Sequence, residues 1–156
     1  MKARWIEAQF YSTECYILEV KQTSSRVLSV YKSKPFARFA RKARITDADL
    51  WRTAQLANEG VIDADLGGGV IKQRIARTGE GKSGGSRSII LLKKNDRAVY
   101  VYGFEKKDLA NIRPNELEAF RELAQVIFGY TSAEIAKRVE DGALFKVEKP
   151  EEANDA

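Results

Sequence analysis

Three consecutive glycines, Gly67-Gly68-Gly69, mark the point where the hydrophobic pattern of the chain changes its period. A sequence that is helical on one side of such a break and extended on the other must build a mixed α and β fold. Upstream, Pro35 suits a first helical turn, and Phe36, Phe39, Ala40 and Ala43 recur at helical spacing beneath an Arg and Lys outer face. Thr46 with Asp49 three residues on resembles a capping box, opening a second helix through Leu50, Trp51, Ala54 and Ala57 to Gly60. Downstream, Ile71, Gln73 and Ile75 alternate with Lys72, Arg74 and Ala76 along an extended run from Val70 to Arg77, one face apolar and the other cationic.

A glycine-rich loop, Gly79 to Gly85, then leads into Arg87 to Leu92, an apolar run suited to a central strand. Asn95 and Asp96 predict a hairpin turn into Ala98 to Lys106, where alternation puts Tyr100, Tyr102, Phe104 and Lys106 on one side. Pro114 opens a helix whose stripe is Leu117, Phe120, Ala124 and Ile127, closed by Gly129. Thr131 and Glu134 match a second capping box, and Leu144 to Val147 reads as a short strand. With a first strand over Arg26 to Tyr31, the expected class is α+β: an N-terminal strand and helical hairpin packed on a twisted antiparallel sheet, with C-terminal helices. The expected division is an N-terminal extension over 1–25, one domain over 26–148, and a disordered acidic tail over 149–156.

Composition narrows the chemistry. The 156 residues include no histidine and a single cysteine, Cys15, which excludes a Ser-His-Asp triad, a Cys-His pair, a histidine zinc site and an internal disulfide. No metal and no cofactor is expected. Glu7 and Glu14 interrupt what would be the apolar part of a signal peptide, and no uncharged run reaches membrane-spanning length, so the cytoplasm is the expected compartment. The net charge of +5 is unevenly spread. Lys32, Lys34, Arg38, Arg41, Lys42 and Arg44 follow one another with no acid between Tyr31 and Thr46, and a second basic stretch covers Lys72 to Lys107. Two basic segments inside structured sequence point to a polyanionic partner, although Lys93, Lys94 and Arg97 read as an ordinary solvated face.

Two tempting motifs fail. Gly79-Glu80-Gly81-Lys82-Ser83 contains the Gly-Lys-Ser of a phosphate loop, but Ala76 stands where its first glycine belongs and a strand follows where a helix is needed. The helix pair after Pro114 could be a helix-turn-helix, but Glu134, Glu140 and Asp141 beside Lys137 and Arg138 make a poor groove-reading surface. A stronger constellation is the sheet face carrying Lys72, Arg74, Arg87, Tyr100, Tyr102 and Lys106, flanked by Arg77. Single-stranded RNA is held by cations on its phosphates and aromatic faces on its bases. Against this stands the reading of Tyr100 and Phe104 as core residues beneath the helices.

Four blocks together resemble the RelE/ParE superfamily of toxins, in particular its RelE-like, HigB-like branch: Lys34 to Lys42, Gly60 to Arg74, Gly79 to Arg87, and Tyr102 to Lys106. The resemblance implies an endoribonuclease acting on mRNA, often on the ribosome, and neutralised by a cognate antitoxin, usually a small helix-turn-helix protein. It implies metal-independent attack of the ribose 2′-hydroxyl on the adjacent phosphate. By strand position Lys72 and Arg74 match the family's basic pair, Arg87 its phosphate-stabilising arginine and Lys106 the base after the last strand. Arg77, Lys82, Tyr102 and Lys42 are then expected to bind RNA. An unperturbed lysine, with a pKa of about 10.4, is a poor base at neutral pH, so charge stabilisation is the larger expected contribution of Lys72. The family's frequent C-terminal Tyr or His acid/base has no aligned counterpart, which leaves Tyr102 or Tyr130 to substitute. The superfamily also implies an alternative, a ParE-like gyrase inhibitor, and a catalytically degenerate nucleic-acid-binding module is a further one.

Overall fold

A computed structural model describes residues 27–75, 85–105 and 112–151. The N-terminal extension, the loop containing Arg77 and Lys82, Lys106, and the end of the acidic tail lie outside the described residues. The chain runs β1 (Ser29–Ser33), α1 (Lys34–Lys42), α2 (Asp47–Asn58), β2 (Ala64–Asp65), β3 (Val70–Ile75), β4 (Ser86–Lys93), β5 (Arg97–Glu105), α3 (Pro114–Phe128), α4 (Ser132–Glu140) and β6 (Leu144–Val147). The strands form a six-stranded sheet in the order β2-β3-β4-β5-β1-β6. Its pairings are antiparallel except that β1 runs parallel to β5, a contact brought about by the long-range return of the chain and not visible as a local pattern. The β2 strand is two residues long, too short to leave a periodic signal.

Side-chain caps start the helices, that of α1 not singled out in the sequence. Ser33 accepts from the Phe36 amide at the head of α1, where Pro35 needs no donor. Thr46 and Asp49 close a reciprocal capping box on α2. For α4 one half of the expected box is formed, Thr131 accepting from the Glu134 amide.

The helices divide between the two faces of the sheet. Phe36 and Ala40 of α1 and Leu50, Trp51, Ala54 and Ala57 of α2 pack against Ile71, Ile75, Ile90, Ala98 and Tyr100. On the other face Ala124 and Ile127 of α3 and Ile135 of α4 cover Val70, Ile89, Leu91 and Val99. Gly69 sits in the left-handed region at φ +82°, and a Cβ there would stand 2.5 Å from the Phe128 ring, so the glycine turn also seats α3. Arg97 departs from its expected place on a solvated face. It is buried, and its guanidinium donates to the Ile127 and Tyr130 carbonyls at 2.9 and 3.0 Å, capping the end of α3.

The most consequential departure lies in β5. Ile89 pairs with Tyr102 but the next residue, Ile90, pairs with Tyr100, so Val101 is an extra residue in a β-bulge. The bulge puts Tyr100 and Tyr102 on opposite faces. Tyr100 is therefore no part of the cationic face: it is fully buried under α1, its hydroxyl donating to the Leu50 carbonyl at 2.7 Å, and burial pushes its phenol pKa far up. Beyond the bulge, Gly103 takes the α1 side, and a Cβ on it would stand 2.1 Å from the Phe39 ring.

Candidate nucleic-acid interface

The alternation that buries Ile71, Gln73 and Ile75 of β3 against the helical hairpin turns Lys72 and Arg74 to the α3 side. Cross-strand register then assembles two rows. Lys72 lies opposite Ile89, which lies opposite Tyr102, while Arg74 lies opposite Arg87, which lies opposite Phe104. Directly opposed residues share a face, so Lys72, Arg74, Arg87 and Tyr102 are brought together on the α3 side of the sheet, around the buried Ile89 and Phe104.

The three cations are half-buried. The Arg87 guanidinium donates to the Gly85 carbonyl at 3.3 Å, and the Arg74 side chain lies so close over Gly85 that a Cβ there would stand 3.1 Å from its Cγ. Two guanidinium groups directly opposite one another repel and lower stability. Lys72 and Arg87 form no ion pair among the described residues, so these two charges are available to an anion. Tyr102 is 49% exposed. Its ring packs at 5.9 Å from Phe104 and 6.2 Å from Phe120 of α3, an aromatic cluster beside the cations.

Residues not singled out in the sequence support the patch from behind. The Gln73 side chain donates to the Val61 carbonyl at 2.7 Å and accepts from the Asp63 amide at 3.0 Å, and the Asp63 carboxylate accepts from the Arg74 amide at 2.5 Å. The buried Ser88 hydroxyl donates to the Gln73 carbonyl at 3.0 Å. A lone Gln in the apolar alternation of β3 was the available signal for this network, since a buried amide needs partners. Phe120 was legible only as part of a core stripe.

The other expected site residues fall elsewhere. Lys42 is exposed at the end of α1, on the opposite face of the sheet. Tyr130 lies beyond the far end of α3, under the Arg138 guanidinium at 4.0 Å, and so is not brought to the cations, whereas Tyr102 is. Among the described residues no group of three or more His, Cys, Asp or Glu side chains is placed to hold a metal ion. Nor is any helix long and apolar enough to cross a membrane.

The chain is thus a small α+β protein with cations and an aromatic ring gathered on one sheet face beside a helix. A family model described as the RelE toxin of the RelE/RelB toxin-antitoxin system matches residues 28–147. The chain belongs to this RelE toxin family: it is the toxin component of a toxin-antitoxin system, and a cognate antitoxin is its implied partner. No individual curated protein matches the chain.

Proposed function

We propose that this toxin is a metal-independent endoribonuclease of the HigB-like branch that cleaves mRNA in the cytoplasm, on the ribosome, and so inhibits translation. The observation that supports the reading best is the convergence of Lys72, Arg74, Arg87 and Tyr102 on one face of the sheet. In the proposed reaction the ribose 2′-oxygen bonds to the adjacent phosphorus and the bond from phosphorus to the 5′-oxygen breaks. The proton leaving the 2′-hydroxyl goes to a base, the 5′-oxygen takes one from an acid, and a 2′,3′-cyclic phosphate remains. Arg74 and Arg87 hold the phosphate and stabilise the charge that grows on it, with Lys72 adding to the same field. Tyr102 stacks a neighbouring base and is the phenol nearest to serve as acid. Lys106 completes the catalytic set, Arg77 and Lys82 extend the grip on the RNA, and a helix-turn-helix antitoxin neutralises the toxin.

Incubation of the purified protein with ribosomes and message tests this directly. Defined cuts ending in a cyclic phosphate or its hydrolysis product are expected. Intact message together with a block in DNA replication on expression would instead establish the gyrase-inhibitor alternative.

A further inference from the structure

The two edges of the sheet are finished differently. At one end β2 is two residues long, and beside it the Asp63 carboxylate accepts from the Arg74 amide, so β3 offers little open backbone. At the other end β6 pairs with β1 on one side and, among the described residues, with no strand on the other. Lys146 is the only charged residue of β6, and its neighbour Phe145 is 39% exposed. An open edge of this kind accepts an extended segment through main-chain hydrogen bonds. Next to it, a cavity of about 330 Å³ opens between α4 and the strands, walled in part by Ser29, Tyr31, Ile135, Ala136, Val139 and Lys146. Ala136 is exposed and Val139 half-buried, so this side of α4 is incompletely covered by the strands beneath it.

The chain enters the sheet at the mouth of this cavity. Ser29 lines it, and Val27, where the described chain begins, is exposed. Because β1 is already paired on both sides, with β5 and with β6, the chain before it cannot form a hairpin with β1. The nearest open edge is that of β6, two strand spacings or about 10 Å from β1. The connection over 22–27 is long enough, since six extended residues reach about 20 Å. Its Gln22-Thr23-Ser24-Ser25 has the composition of a turn. Just upstream the sequence alternates, with Tyr16, Leu18 and Val20 on one side and Cys15, Ile17, Glu19 and Lys21 on the other. The wholly apolar side suits the cavity and the uncovered side of α4. Phe145 lies across from Lys32, on the face of β6 away from α4, where Ile17 can meet it.

We propose that residues 15–21 of the same chain dock on the free edge of β6 as a seventh strand, with Tyr16, Leu18 and Val20 covering the cavity beneath α4. A chain that reverses over 22–25 runs against β1 and hence parallel to β6, which is itself antiparallel to β1. The added strand closes this edge to a second copy of the chain and ties α4 to the sheet. The inference does not depend on the nuclease reading above.

Cys15 is the single thiol of the chain, so the full-length protein can carry a nitroxide there with no substitution. In the amide spectrum of the isotope-labelled protein, Leu144 to Val147 and Ala136 to Glu140 should broaden most and recover when the nitroxide is reduced with ascorbate. Broadening strongest on β3 and β4, or spread evenly over the protein, overturns the proposal. The same local broadening in a mixture of isotope-labelled unmodified protein with unlabelled nitroxide-bearing protein would assign the strand to a second copy and overturn the assignment to the same chain. Amide hydrogen exchange on the unmodified chain gives a second reading that no label can disturb. The full-length variant Leu18→Asp, Val20→Asp should exchange its β6 amides about tenfold faster or more, with those of β4 unchanged. Unchanged exchange in β6 overturns the proposal. Neither measurement reads cleavage, so failure here leaves the nuclease reading untouched, and a protein that never cuts message leaves this strand in place.

Discussion

The same three strands, β3, β4 and β5, behave differently on their two faces. Toward α1 and α2 their side chains are sealed against a core, and even the buried polar Gln73 and Ser88 have hydrogen-bond partners. Toward α3 the buried Ile89 and Phe104 are interleaved with Lys72, Arg74, Arg87 and Tyr102, which stay partly open to solvent. The difference teaches that the patch is made of polar side chains left partly open among buried neighbours on the same strands. Residues on the sealed face should therefore govern stability, and the half-open cations and Tyr102 on the other face should govern activity.

The largest expected effect breaks the open side. Arg87→Ala should lower the rate of message cleavage by about 100-fold or more, the scale of removing one positioned donor to a transition-state charge. Its unfolding midpoint should hold or rise, because the repulsion between Arg87 and Arg74 is relieved. A large fall in stability with a normal rate would reverse the assignment of the two faces.

Gly103→Ala probes the sealed side of the same strand. The added methyl meets the Phe39 ring, and overpacking of this kind costs about 1–3 kcal/mol, readable in urea unfolding as a shifted midpoint with an unchanged slope. Tyr102→Ala, one residue away on the other side, should lower that midpoint less, through its lost contacts with Phe104 and Phe120. Its main cost should fall on affinity for single-stranded RNA, about 1–3 kcal/mol for a lost base stack.

The smallest effect sharpens the frame shared by both faces. Burial works against ionisation of Asp96, yet Arg97 and Lys93 hold its carboxyl below the usual aspartate value of 3.8. Its contribution is thus present above that value and lost as pH falls through the lower folded one. Asp96→Asn should flatten the acid limb of a stability profile below about pH 4 while leaving the region above pH 6 nearly parallel to the parent.

How much of this was legible follows from which signals are local. Pro35, Thr46 with Asp49, and Asn95-Asp96 act on their own neighbours, and each starts or turns an element where the sequence placed it. Lys72, Arg74 and Arg87 were readable as a cationic face because β3 keeps strict alternation and β4 pairs with it in simple register. Tyr100 was misplaced because alternation carries no mark of an inserted residue, and the bulge at Val101 reverses every side chain after it. Gly103 held the missing information. A glycine inside an aromatic strand signals close approach of another element, and with that element on one side Tyr102 and Phe104 must take the other. The parallel contact of β1 with β5 and the position of Lys42 behind the sheet depend on chain return, which no window of sequence contains.

The bulge at Val101 also divides the strand into two parts answering to different masters. Up to Tyr100 each substitution is judged by the fit of the interior, and from Tyr102 onward by what the surface must hold. One extra residue thus insulates the interior from change at the surface, so that a family built on this sheet can alter what it binds without renegotiating how it folds.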